Sequence, residues 1–290
     1  MESEKTIFVV DDDEDDRMLI SEALHNLSEK VNVVEVQSGT DMYELLNQDE
    51  QPTGFRLILL DMNMPRMNGL ELLKLLKRNI KWRSVPVIML STSSNQSLIR
   101  EAYKLGVNVF VVKPVSIGEF DRMVKMVSDC FLNNFVQGDL HTFDKKLKWR
   151  NIMVIEDNND HWDLMHYSLR QSAPYVKIVR VANRSEAVET LQAKFLELKP
   201  MPEIIFLDLY LPEREDGLDL LKDIRQFVQD RDLHSIPVIV FSYSGNAKDI
   251  EAALANQANA YLIKPTDISF FPAYLNGLCS IWANAVSAPE

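Results

Sequence analysis

Cysteine is almost missing from this chain, with Cys130 and Cys279 the two examples in 290 residues. That scarcity excludes a disulfide scaffold and a zinc site built on cysteine pairs. Each cysteine falls in an apolar helical stretch (VKMVSDCFL and YLNGLCSIW) and reads as a small core side chain. No apolar run reaches the ~18 residues that would suggest a membrane span. The opening MESEKTIFVVDDD lacks the basic region, apolar stretch and cleavage site of a signal peptide. Cytoplasm is therefore the expected compartment. Positive charge is also in deficit: 31 Lys and Arg face 43 Asp and Glu, a net charge of −12. Both halves of the chain are acidic, so neither offers the basic face that nucleic acid requires. No G-x-G-x-x-G or Walker loop is present, which leaves nucleotide binding without support. Histidine is sparse. His161 and His166 are five apart, the wrong spacing for a shared metal, and His25, His141 and His234 are isolated. All five read as surface or half-buried side chains.

What the chain does have is a soluble globular composition, 46% hydrophobic and 26% charged, and length for about two domains. It also repeats itself. TIFVVDDDEDDRMLISEAL returns as NIMVIEDNNDHWDLMHYSL, and RLILLDMNMPRMNGLELLKLLK as EIIFLDLYLPEREDGLDLLKDIR. VPVIMLSTSSN returns as IPVIVFSYSGN, and NVFVVKPVS as NAYLIKPTD. The four blocks keep their order at offsets of 145 to 151 residues, which points to a duplicated domain. Short β-branched runs alternate with longer stretches of helical apolar spacing, such as Leu70, Leu72, Leu73, Leu75 and Leu76. The predicted strands are 6–10, 31–36, 56–60, 86–90 and 108–112, then 151–155, 176–181, 203–207, 236–241 and 259–263. Nearly continuous apolar strands suit parallel sheets covered on both faces. The expected fold class is α/β: two flavodoxin-like, doubly wound (βα)5 domains, each with a five-stranded parallel sheet of order 2-1-3-4-5. The expected division is 1–135, a linker at 136–150, and 151–290.

In such a sheet ligands bind beyond the carboxyl ends of the strands. The polar residues that interrupt the repeat fall there. Asp11 and Asp12 end the first strand, Asp61 the third, Ser91 the fourth and Lys113 the fifth. Glu156, Asp157, Asp208, Ser242 and Lys264 take the same places in the second half. Two like charges ~4 Å apart repel by about 4 kcal/mol at an effective dielectric near 20. Three carboxylates together must protonate or recruit a cation. Oxygen ligands alone favour Mg²⁺. With an ammonium and a hydroxyl added, the set forms a pocket for a phosphoryl group carried by an aspartate. Asp13, Glu14, Asp15 and Asp16 prolong the acidic run and read as a helix start, as do Asn158, Asn159 and Asp160. Met62, Met64 and Met67 read as packing residues.

These motifs resemble the receiver domains of two-component response regulators. The first half carries D-D at 11–12, D-M-N-M-P-R-M-N-G at 61–69, Ser91 and Lys113-Pro114. The second carries E-D at 156–157, D-L-Y-L-P at 208–212, Ser242 and Lys264-Pro265. The resemblance implies that Asp61 and Asp208 are phosphoacceptors. Asp12 and Asp157 would ligate Mg²⁺, Asp11 and Glu156 would hold its waters, and the carbonyls of Asn63 and Tyr210 would complete the site. Lys113 and Lys264 would pair with the acceptor, Ser91 and Ser242 with a phosphoryl oxygen, and Phe110 and Tyr261 would be the switch aromatics. The Lys-Pro bonds would be cis. The second half departs from the pattern: one extra residue lies between Pro212 and Gly217, and Tyr210 stands where Asn63 does. We expect the Tyr210 ring to screen an acyl phosphate from water.

The implied function is signalling without a dedicated output domain. The phosphoryl group would come from a histidine kinase or histidine phosphotransfer protein, and output would pass by contact with a downstream protein, as relay, adaptor or phosphate sink. Chemistry would be limited to Mg²⁺-dependent self-phosphorylation and self-dephosphorylation, not turnover of another substrate. A homodimer is compatible with this reading; direct binding to nucleic acid or membrane is not expected. The alternative is a phosphorylation-independent scaffold in which one receiver, the second before the first, is an inactive interaction domain. A phosphohydrolase is disfavoured because Asn63 and Tyr210 stand where its second acid would be.

Overall fold

The computed structural model describes residues 5–27, 31–48, 55–93, 95–114, 116–128, 131, 151–234, 236–265, 271 and 275. The chain divides into two compact units, Met1–Phe135 and Val136–Glu290. The expected linker at 136–150, both cysteines, His141 and most of the chain after Pro265 lie outside the described residues.

The first unit runs β1 (Lys5–Val10), α1 (Glu14–Leu27), β2 (Val31–Val36), α2 (Gly39–Gln48), β3 (Phe55–Asp61), α3 (Gly69–Arg78), β4 (Val87–Ser91), α4 (Gln96–Lys104), β5 (Val109–Val112) and α5 (Ile117–Val127). Its five parallel strands are ordered β2-β1-β3-β4-β5. Interior strands such as VIMLS in β4 are buried at every residue, because helices cover both faces. The edge strand β2 is partly exposed and carries Glu35 toward solvent, which discourages pairing with another chain. On α3 the i, i+1, i+4 set Leu72, Leu73 and Leu76 is buried against the sheet. Trp82 fills the far end, edge-on to Phe8 at 6.2 Å and covered by the Arg56 guanidinium at 4.9 Å.

The second unit repeats the plan with β6 (Asn151–Ile155), α6 (Asn159–Ser172), β7 (Lys177–Val181), α7 (Arg184–Glu189), β8 (Ile204–Leu207), α8 (Arg214–Asp230), β9 (Val238–Ser242), α9 (Ala247–Ala255) and β10 (Ala260–Ile263). A π-helical turn (Thr190–Lys194) and a 3-10 turn (Phe195–Glu197) continue α7. The sheet order β7-β6-β8-β9-β10 is that of the first unit. Both sheets therefore have the expected flavodoxin-like order, and every predicted strand is present within two residues of its expected ends.

The register brings the strand ends together. Val10 lies opposite Leu60, which places Asp11 beside Asp61, and the Lys113 N–H donates to the Ser91 carbonyl at 2.7 Å. Ile155 lies opposite Leu207, which places Glu156 beside Asp208, and the Lys264 N–H donates to the Ser242 carbonyl at 2.7 Å. These ladder bonds deliver the lysines without a cis peptide. The cis bonds among the described residues are Lys199-Pro200 and Leu211-Pro212; the Lys113-Pro114 and Lys264-Pro265 bonds are not among them, contrary to expectation.

Two glycines show how the helices meet the ends of β3 and β8. A Cβ on Gly69 would lie 2.4 Å from the Asp61 carbonyl oxygen, and one on Gly217 only 1.9 Å from that of Leu209. Gly69 opens α3, whereas α8 begins three residues ahead of Gly217 at Arg214. The extra residue of the second half is thus wound into an added turn of helix at the pocket edge.

Candidate functional site

At the carboxyl edge of the first sheet, Lys113 is the hub. Its Nζ lies 2.7 Å from Asp61 Oδ1, 2.7 Å from Asp11 Oδ2 and 2.9 Å from Asp16 Oδ2. Asp11 and Asp61 are buried and Asp12 is exposed. Burial pushes the Asp11 carboxyl up to about 6, with the nearby Asp61 charge adding to the rise and Lys113 opposing it. Burial also acts against the Lys113 charge, but its bonds to Asp11, Asp61 and Asp16 hold the ammonium above its ordinary value. The Asn63 N–H donates to Asp61 Oδ2 at 2.6 Å, orienting the carboxylate. The fully buried Ser91 hydroxyl accepts from the Ser93 N–H at 3.1 Å. Phe110 lies inward, 1% exposed. Helix α1 starts where the acidic run predicts, with the Asp13 carboxylate accepting from the N–H groups of Asp15 and Asp16. Asp16 does more than start the helix, since one turn in it reaches the pocket lysine.

The second pocket uses the same frame with different contacts. Lys264 is fully buried, its Nζ 2.6 Å from both Glu156 Oε2 and Asp208 Oδ2. Burial raises the Glu156 carboxyl above its usual range, Lys264 pulls it back, and Asp208 raises it further. The other Glu156 oxygen, Oε1, lies 3.2 Å from His161 Nδ1. Carboxylate oxygens and ring nitrogen of Glu156, His161 and Asp208 lie within 4.8 Å of one another, as do those of Asp11, Asp12 and Asp61 in the first unit. Asp157 does not join its expected group. It is half-exposed, and the longer side chain of Glu156 reaches both Lys264 and His161 in its stead. His161 thus belongs to the pocket, against its reading as an ordinary surface residue. Its place one turn into α6, matching Asp16 at the 145-residue offset, was the available signal.

The loop side of this pocket is tied together by Asp249 on α9. That buried carboxylate accepts from Arg214 Nε at 2.5 Å, Ser244 Oγ at 2.5 Å and Tyr210 OH at 3.1 Å. Burial would raise its pKa, but the bonds from Ser244, Arg214 and Tyr210 hold it below the ordinary carboxylate value. Tyr210 therefore anchors its hydroxyl on α9. The rings that flank Lys264 are those of Tyr243, 5.3 Å from its Nζ, and Phe241, at 5.8 Å. The Tyr210 N–H donates to Asp208 Oδ1 at 3.3 Å. The switch position Tyr261 is buried, and its hydroxyl donates to the Ser244 carbonyl at 2.8 Å. Burial pushes that hydroxyl up to about 12. Ser242 is buried at the end of β9.

The sequence pattern of the response regulator receiver domain matches residues 7–125 and, a second time, residues 152–275. The chain belongs to the response regulator receiver domain family. It is 35% identical over 108 residues to a chemotaxis protein CheY homolog of Campylobacter jejuni, covering 37% of this chain and 80% of that protein. It is 32% identical over 108 residues to chemotaxis protein CheY1 of Helicobacter pylori, covering 37% and 84%. Among solved structures, the phosphorylated cyanobacterial phytochrome response regulator RcpA shares 33% identity at a TM-score of 0.43, covering 46% of this chain and 98% of that one. Two receiver domains therefore stand in tandem here.

Receivers of this family generally depend on a divalent cation, and the donor sets fit one. The first receiver offers oxygen atoms alone, from Asp11, Asp12 and Asp61, which suits a hard ion such as Mg²⁺. The second offers two carboxylates and an imidazole. No described helix is long and apolar enough to cross a membrane.

Proposed function

We propose that this protein accepts phosphoryl groups on Asp61 and Asp208 from a histidine kinase or histidine phosphotransfer protein in the cytoplasm. The observation that carries the reading is the lysine at each acceptor: Lys113 Nζ at 2.7 Å from Asp61 and Lys264 Nζ at 2.6 Å from Asp208. A carboxylate oxygen attacks phosphorus in line; the P–N bond of phosphohistidine breaks and its electron pair returns to the imidazole. Mg²⁺, when bound, neutralises charge on the transferring group. Asp11 and Asp12 would hold that ion with Asp61, and the Asn63 and Tyr210 carbonyls would complete the two sites. Lys113 and Lys264 draw off negative charge as the acyl phosphate forms. Ser91 and Ser242 donate to a phosphoryl oxygen, and Phe110 and Tyr261 sense that movement. The chemistry is that of a phosphoaspartate on the protein itself, made and lost without turnover of a separate substrate.

Output passes by protein contact, through the α4–β5–α5 face in the first receiver. Exposed Val112 and Ile117 on that face suit a downstream partner or a second copy of the chain. The complete burial of Lys264 supports the rival reading of the second receiver as an inactive interaction domain. One experiment separates them. The protein is incubated with Mg²⁺ and acetyl phosphate, and phosphoryl groups are counted by intact mass. Two groups are expected on the wild type and one on each of Asp61→Asn and Asp208→Asn. Uptake unaffected by Asp208→Asn leaves the second receiver a scaffold; no uptake on the wild type ends the proposal.

A further inference from the structure

The repeat itself supplies an internal comparison at one position. Asp16 and His161 each stand five residues after the first pocket acid, Asp11 or Glu156, one turn into α1 or α6. Both side chains turn into their pockets, but they do different things there. Asp16 adds a third carboxylate to Lys113, at 2.9 Å. His161 leaves the lysine alone and faces Glu156 Oε1 at 3.2 Å. Lys264 engages Glu156 Oε2 and Asp208 Oδ2, so each carboxylate keeps a second oxygen for another partner. Neighbours hold both the backbone of His161 and its ring. The Asn158 side chain caps α6 by accepting from the N–H groups of Asp160 and His161, and the Tyr243 ring lies 4.8 Å from the imidazole.

Donor chemistry follows from that substitution. Oxygen-only ligands suit Mg²⁺, whereas an imidazole nitrogen favours borderline first-row ions such as Zn²⁺. We propose that His161 is a nitrogen ligand of the second pocket, with Glu156 and Asp208, and that this receiver takes Zn²⁺ in preference to Mg²⁺ while the first keeps Mg²⁺. The inference rests on reading the pocket as a cation-assisted acceptor site. Binding requires a lone pair on the coordinating nitrogen: a neutral ring keeps its one proton on the other nitrogen, and a protonated ring gives one proton to solvent as the ion enters.

The test uses the full chain, stripped of metal and titrated calorimetrically with Zn²⁺ and, separately, Mg²⁺. His161→Asn removes the donor, His161→Asp copies the first receiver, and His166→Ala controls for the neighbouring histidine. His161→Asn is expected to weaken Zn²⁺ binding at one site by at least about tenfold while Mg²⁺ affinity moves less than about twofold. His161→Asp should shift the preference toward Mg²⁺, and His166→Ala should change neither. Circular dichroism checks the fold; should His161→Asn fail it, His161→Asp carries the test. Unchanged Zn²⁺ affinity in the folded variants overturns the inference. Counting phosphoryl groups on Asp208 in the same variants keeps the two ideas apart. Zn²⁺ held through His161 with no phosphoryl uptake sinks the acceptor reading alone, and uptake with indifferent Zn²⁺ binding sinks the ligand alone.

Discussion

A lysine among carboxylates is the residue whose loss should be felt most. Lys264 is sealed from solvent between Glu156 and Asp208, and breaking a buried pair costs about 3–5 kcal/mol because the remaining charges lose their partner. Lys264→Met should therefore destabilise the second receiver by about 3 kcal/mol at neutral pH, read by urea unfolding without metal. The loss should be smaller at a pH below neutral, since burial already raises the Glu156 carboxyl and protonating it relieves the repulsion. An equal loss at both pH values would show that packing, not charge, is at stake. Asp11 makes a second prediction at this scale. Its folded carboxyl sits at about 6, above the 3.8 of the unfolded chain, so folding favours its protonated form. That contribution is complete below about pH 4 and lost as pH rises through 6. In chelator, the stability of wild type relative to Asp11→Asn should fall across this window; a flat difference refutes it. The strand-end acids, serines and lysines were legible in the sequence because a strand's end fixes which edge they occupy. Asp16, His161 and Asp249 were not, because a helix face depends on how the helix packs, and pattern alone does not reveal that. Asp157 stands half-exposed beside the pocket, while the longer Glu156 side chain reaches Lys264 and His161.

Among elements, the instructive pair is α3 and α8, which follow β3 and β8 differently. Helix α3 begins at Gly69 with a capping box: the Asn68 side chain accepts from the Glu71 N–H, and Glu71 accepts from the Asn68 N–H at 3.0 Å. Helix α8 has no side-chain cap and instead projects its first residue, Arg214, onto Asp249. The cap should be worth about 1 kcal/mol, so Asn68→Ala should lower the first receiver's stability by that amount in denaturant unfolding. Gly217→Ala should cost more, about 1–3 kcal/mol, because its Cβ would press on the Leu209 backbone rather than on a yielding side chain. Gly118→Ala is the matched control: a Cβ there meets nothing within 4 Å, so stability should hold or rise by up to about 1 kcal/mol. A Gly217→Ala protein as stable as Gly118→Ala would show that the strand–helix junction yields more than its geometry suggests. Strand positions were readable within two residues because buried parallel strands are continuous apolar runs. The added turn of α8 was not, since Glu213, Arg214, Glu215 and Asp216 suit a loop as well as a helix start.

At the level of the whole chain, one frame is used twice, and the two pockets differ in what surrounds the residues they share. Each has an aspartate, a lysine and a buried serine at the same sheet edge. The lysine is the less buried in the first, its side chain 9% exposed at Lys113 against 0% at Lys264, whereas the aspartate is the less buried in the second, 8% at Asp208 against 4% at Asp61; no equivalent of the Asp249 tie can form in the first because Leu98 stands at that position. In the second, Tyr243 overlies the lysine, while Asp249 binds the loops after β8 and β9 to each other. Seating a phosphoryl group on Asp208 has to disturb the fully buried Lys264 pair and the loops that Asp249 ties, whereas the first receiver lacks that tie. With acetyl phosphate and Mg²⁺, Asp61 should therefore be phosphorylated several-fold faster than Asp208, measured by site-resolved mass spectrometry over time. Asp249→Asn leaves the side-chain shape but removes the charge that holds Arg214, so it should speed Asp208 and leave Asp61 unchanged. If Asp208 instead keeps its rate in Asp249→Asn, the tie does not gate the pocket, and the slower step must lie in the buried ion pair of Lys264 itself.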